Sequence, residues 1–193
     1  VLAISTNDAE RIAENPDTKM LSRSSNSLRY IGFNCSKPEL SDVRVRQALF
    51  HATDTEVLRE ILYGLTTSGP ATSCVPEGMI GINNDLTPYE YDPQKARDLL
   101  AEAGYADGLE IEFMYLANST NNMLAELLQA MWGEVGVTLV LQPMESGALS
   151  TALNKGEHMI CSAGTTFSLG EAGEGLYNMF SLESQGSSAN RTY

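Results

Sequence analysis

No window of the 193-residue sequence approaches the roughly 18 consecutive apolar residues that a membrane-spanning helix needs. The opening VLAISTNDAERI lacks the basic stretch that leads an export signal, so none is expected in this segment, which by itself places the protein in no compartment. Basic residues are scarce, 12 Lys and Arg against 25 Asp and Glu, and the formal charge of −13 repels nucleic acid and anionic lipid. Neither is expected as a partner. There are two histidines, and neither His51 nor His158 is accompanied by a Ser or Cys nucleophile with a supporting carboxylate. A G-x-S-x-G elbow is also missing, so a hydrolase is not expected. The three cysteines show no CxxC spacing, which argues against zinc and thioredoxin-like chemistry; Cys35 and Cys161 read as small buried residues. Internal repeats and low-complexity segments are absent.

What remains is an ordinary globular composition, 42% hydrophobic, with clear helix and strand periods. In SDVRVRQALFHATD, Val43, Val45, Ala48, Leu49 and Ala52 recur at helical spacing, with Ser41 or Asp42 as cap and Thr53 and Asp54 capping a second helix. LRYIGFN before it has strand composition, and Asp17 to Ser25 reads as another strand after a short first helix capped by Thr6 or Asn7. Residues 64–91, rich in Gly, Pro, Thr and Asn, form an ordered surface excursion whose Asn83, Asn84, Asp85, Glu90 and Asp92 lack the spacing of a calcium loop. No metal and no cofactor is expected. Asp92 then caps a helix that Gly104 stops. LEIEFMYLA, VTLVLQPM and HMICSAG are strands separated by helices, the first capped by Ser119 or Thr120, and a last helix runs from about Glu174 to Ser181. Successive βαβ units imply an α/β fold with a mostly parallel sheet flanked by helices.

Ligands of open parallel sheets bind beyond the carboxyl ends of the strands. Two stretches qualify. The first carries Tyr115, Asn118, Ser119 and Asn121, a ring with uncharged hydrogen-bonding groups, or simply a helix cap. The second, GTTFSLGEAGEGL, packs Thr165, Thr166, Phe167, Ser168 and Glu171 into a glycine-rich turn that backbone and ligand can approach closely. It is neither G-x-G-x-x-G nor a Walker loop, and its glutamates disfavour phosphate and suit an ammonium group.

The run FN.SKP.L.DVRVRQAL, the segments GPATSCVPEGM and YEYDPQKARDLLAEAGY, and GTTFSLGEAGEGLYNMF, in that order, resemble family 5 of the extracytoplasmic solute-binding proteins, the peptide, dipeptide and glutathione group. The resemblance implies a type II periplasmic-binding-protein lobe, with residues 1–193 as most of the carboxyl-terminal lobe of a two-lobed, secreted or lipid-anchored, extracytoplasmic receptor. It implies a peptide or other amine-bearing solute as ligand, ABC permease subunits as partners, and a monomer. Glu171 matches the acidic position of the family pattern GW.ASTGEAD, whereas Thr165 replaces its tryptophan and Gly173 its aspartate. Other readings of the residues are a protein-interaction α/β domain without a small ligand and a hydrolase fragment.

Overall fold

The computed structural model describes residues 8, 11–12, 14–19, 25–64, 68–168, 171–187 and 190. Residues 8, 11, 12 and 14 are helical, while the expected caps Thr6 and Asn7 lie outside the described residues. Of the strand expected from Asp17 to Ser25, residues 17–19 and 25 are not strand, because Asp17 turns back on the Asn15 side chain through its backbone N–H at 2.9 Å; residues 20–24 lie outside the described set.

Strand β1 (Ser27–Phe33) leads through Asn34 into α1 (Pro38–Ser41), α2 (Val43–His51) and α3 (Thr55–Tyr63). Asn34 is fully buried: its amide donates to Gly156 O at 3.0 Å and His158 O at 2.9 Å, and its oxygen accepts from the Ser36 N–H at 3.1 Å. This side chain therefore ties the end of β1 to two distant carbonyls in the turn before residue 160. The α2 cap is Asp42, which accepts the Arg44 N–H at 2.8 Å. The Arg44 side chain, and then its backbone N–H, hold the Asp42 carboxyl at about 2, below its usual 3.8. Val45, Ala48, Leu49 and Ala52 turn inward as expected, but Val43 is 51% exposed. Val43 precedes Val45 by more than half a helical turn, so the two cannot share a face. Asp54 caps α3, and Thr53 instead accepts the indole N–H of buried Trp132 at 2.9 Å.

Helix α4 (Pro93–Glu102) starts at Asp92 and stops at Gly104, whose φ of 94° suits glycine. Then come β2 (Leu109–Leu116), α5 (Ser119–Gly133), β3 (Val137–Met144), α6 (Ser146–Asn154), β4 (Ile160–Thr166) and α7 (Gly173–Phe180). The α5 cap is Asn118, not Ser119 or Thr120, because Asn118 is the last residue with extended backbone and its side chain accepts the Asn121 N–H.

The sheet runs β1-β4-β2-β3, with β2 parallel to both β3 and β4 and β1 antiparallel at the edge. Ile111, Phe113 and Tyr115 of β2 face the main core with Leu128 and Trp132 of α5, and Met114 faces Leu149 and Leu153 of α6. The two crossover helices thus cover opposite faces. The excursion packs down through Val75 and Met79 against Phe167, Ala172 and Met179, and α7 lies beside edge residues Leu28 and Tyr30. Cys161 is buried, but Cys35 is exposed, since the chain leaves the sheet at Asn34. No helix among the described residues is long and apolar enough to cross a membrane.

Candidate functional site

Three parallel strands end on one side of the sheet, and antiparallel β1 begins there. Strand β4 registers with β2 only through Phe113 opposite Ile160 and Met114 opposite Cys161. Past that point the strands no longer pair, and a cavity of about 590 Å³ occupies the gap. Its walls are Leu116 of β2, residues 118–121 opening α5, Ser146, Leu149, Ser150 and Leu153 of α6, residues 162–164 of β4, Arg29 and Tyr30 of β1, and Tyr63.

The lining is chemically one-sided. Among the described residues Arg29 is its one charged residue, and most other polar groups are neutral hydroxyls and amides. Asn118 accepts from Asn121 N–H at 2.9 Å, and the Asn121 amide donates to Leu116 O at 2.9 Å, so both hold the end of β2 against the start of α5. Helix α6 has no side-chain cap, and its first residue, Ser146, lines the cavity. No described lining residue is a His, Cys, Asp or Glu. His51 is engaged through Nδ1 with Glu90 O at 2.8 Å, and His158 is buried. Among the described residues, no group of three or more His, Cys, Asp and Glu side chains is placed to hold a metal ion. The arrangement can hydrogen-bond and orient a small polar molecule.

Of the residues singled out from sequence, Asn118 lies on the cavity wall. Tyr115 does not: strand alternation turns it to the face of Phe113, with ring centroids 5.1 Å apart, and burial, then the charge of Glu126, pushes its phenol above the ordinary value. Leu116 takes the cavity side instead. The second stretch carries on from Gly164, the last cavity residue of β4. Thr165 is half-buried opposite Leu28, and Thr166 shares a hydrogen bond with Ser27 at 2.8 Å. Phe167 is 2% exposed in the core beneath α7, its N–H donating to Asn26 O and its carbonyl accepting from the Asn26 amide. Ser168 is exposed, and so is Glu171, which bridges to Ile80 of the excursion. Sequence reasoning missed Ser146, Ser150, Ser162 and Arg29. Applying the strand-end rule to the end of β3 would have found Ser146; Arg29 required the strand order.

The chain matches the family described as bacterial extracellular solute-binding proteins, family 5 Middle, over residues 1–187. It is 35% identical over 136 residues to heme-binding protein A of Haemophilus influenzae, covering 67% of this chain and 24% of that protein. To the dipeptide-binding protein of Escherichia coli it is 31% identical over 180 residues, 90% of this chain and 33% of that protein. The solved structure of HbpA2 from Haemophilus parasuis superposes with a TM-score of 0.89 at 33% identity, covering 97% of this chain and 38% of that one. The chain therefore spans no more than about two-fifths of these proteins. Their type II periplasmic-binding fold is the one found here, and with nearly every residue inside the matched region the chain belongs to the family 5 extracellular solute-binding proteins.

Proposed function

We propose that this chain is the carboxyl-terminal lobe of a two-lobed receptor, the substrate-binding component of an ABC importer. The receptor works outside the cytoplasm as a monomer, holds a peptide or a related small amine-bearing solute between its lobes, and delivers it to permease subunits. One observation carries the reading: the gap between the splayed ends of β2 and β4 is lined by neutral hydrogen-bonding groups and lacks a catalytic set. The name of the Escherichia coli relative supports a peptide-sized solute. Asn118 orients the solute on the cavity wall. Thr165, Thr166, Ser168 and Glu171 continue β4 beyond the cavity as the rim on which the second lobe closes, and Glu171 is the counter-ion for the amine. Tyr115 and Phe167 support the site from beneath by packing.

Native mass spectrometry of the receptor bearing both lobes, purified without ligand exchange, tests the proposal. It should show a small adduct that is released chemically unchanged. An adduct-free protein that binds no dipeptide, tripeptide or glutathione contradicts the proposal, as does a receptor that cleaves them.

A further inference from the structure

The two edges of the sheet are finished differently. An edge strand presents a row of unpaired N–H and C=O groups that another strand can take up, unless something blunts it. At the β3 edge, Leu109 N–H donates to Gly136 O and Ala117 N–H to Met144 O, so even-numbered residues of β3 face β2 and odd-numbered ones turn outward. Pro143 stands at an outward position and has no N–H to offer, and Leu139 O accepts the Gln129 amide at 2.8 Å. That edge is blunted.

Strand β1 has no such device. Asn34 N–H donates to Met159 O and Phe167 N–H to Asn26 O, which sets the even-numbered residues of β1 toward β4 and turns Arg29, Ile31 and Phe33 outward. Among the described residues nothing accepts from these three N–H groups, and of their carbonyls only Phe33 O has a donor, the Cys35 thiol at 3.9 Å. All seven residues of β1 pair with β4 in unbroken register, with neither proline nor bulge. Its one charge does not guard the edge either. A Cβ at Gly164 would lie 3.0 Å from Arg29 Cδ and Nη1, so the arginine side chain lies back across β4. At the other end of the strand Phe33 meets Phe50 with ring centroids 6.0 Å apart, Phe50 stacks on Tyr89 at 5.1 Å, and these outer two rings are 47% and 50% exposed.

We infer that the free edge of β1 receives a strand from the part of the receptor outside residues 1–193, which extends the sheet and covers these rings. Side chains of that strand on the Phe33 face are apolar, as cross-strand neighbours of Ile31 and Phe33. The chain spans no more than about two-fifths of its relatives, so a receptor of their length has chain enough to supply the strand. A second copy is opposed by a formal charge of −13 on each partner. The solute is opposed by place, since this edge faces away from β4 and the cavity lies between β4 and β2. The inference rests on the reading of the chain as one lobe of a larger receptor, and it adds the element that joins the remainder to this sheet.

Residue-resolved amide hydrogen exchange of the two-lobed receptor, followed by NMR without added ligand, tests it with an internal control. The inward amides of Leu28, Tyr30 and Gly32 are held by β4 in any case. With a strand docked, the outward amides of Arg29, Ile31 and Phe33 should also be protected, exchanging at least about a hundredfold more slowly than unstructured amides. Alternation along β1, slow at even and fast at odd positions, overturns the inference. So does protection of the odd positions that fades on dilution, which assigns the edge to a second copy, or that arises only with dialanine, which assigns it to the solute. Calorimetry of dialanine on the same sample keeps the two readings apart. Peptide binding with an alternating edge overturns this inference alone, and a protected edge without peptide binding counts against the solute reading alone.

Discussion

Gly175 and Phe167 touch so closely that a single methyl group separates a stable chain from a strained one. A Cβ at Gly175 would lie 2.1 Å from the Phe167 ring, whereas one at Gly173, two residues earlier in α7, meets nothing within 4 Å. Gly175→Ala should therefore cost about 1–3 kcal/mol by overpacking, and Gly173→Ala should be neutral or slightly stabilising. Urea unfolding of both variants checks the pair, and equal effects would show that Phe167 yields. Asp42 gives a second prediction. Its folded carboxyl titrates at about 2 against 3.8 ordinarily, so it stabilises the fold above the higher value and loses that contribution as pH falls through the lower one. Asn keeps the cap but not the charge. The gap in thermal midpoint between wild type and Asp42→Asn should be full at neutral pH and close as pH approaches 2, and a gap independent of pH would contradict this. At this scale the sequence was partly legible. Asn118 could be placed by type and position, since it follows a strand and opens a helix. Tyr115 could not, because LEIEFMYLA ends in consecutive apolar residues and alternation alone does not say which face holds the cavity.

Between elements, the corner of α2 and α3 is fastened to α5 by the indole N–H of Trp132 on the Thr53 hydroxyl at 2.9 Å. Trp132 is 1% exposed, so Thr53→Val, which keeps the shape and removes the acceptor, leaves a buried donor unsatisfied. The loss should be about 1–3 kcal/mol of stability, measured as a lower urea midpoint with unchanged slope. A variant as stable as wild type would mean that the indole finds another acceptor. From α2 onward, helix and strand identities were readable because caps, Gly104 and the apolar periods agree with one another; the strand expected from Asp17 to Ser25 lacked such agreement, and its described residues are not strand. The antiparallel placement of β1 beside β4 was not readable. Leu28 pairs with Thr165, a partner far along the chain, and no local pattern encodes such a register. That pairing is what carries Arg29 to the cavity, so the missed site residue and the unread strand order are one gap.

For the whole molecule, the proposed receptor gains affinity by closing a second lobe over the rim formed by β4 and Glu171. Glu171 is exposed in this lobe, where its attraction for an amine is weak and screened. Once desolvated by the other lobe, it should be worth about 2–5 kcal/mol to an amine-bearing ligand, as read from Glu171→Gln in the two-lobed protein. A two-lobed protein indifferent to Glu171→Gln would move the amine elsewhere. The central claim is that solute binds in the gap between the unpaired ends of β2 and β4, and the most direct test is to fill that gap. Ser162 lines it from β4. Calorimetry of the two-lobed receptor carrying Ser162→Leu against dialanine, trialanine and glutathione should show affinity reduced by at least about tenfold relative to wild type, with thermal unfolding preserved. Undiminished binding by a folded Ser162→Leu receptor would contradict the account.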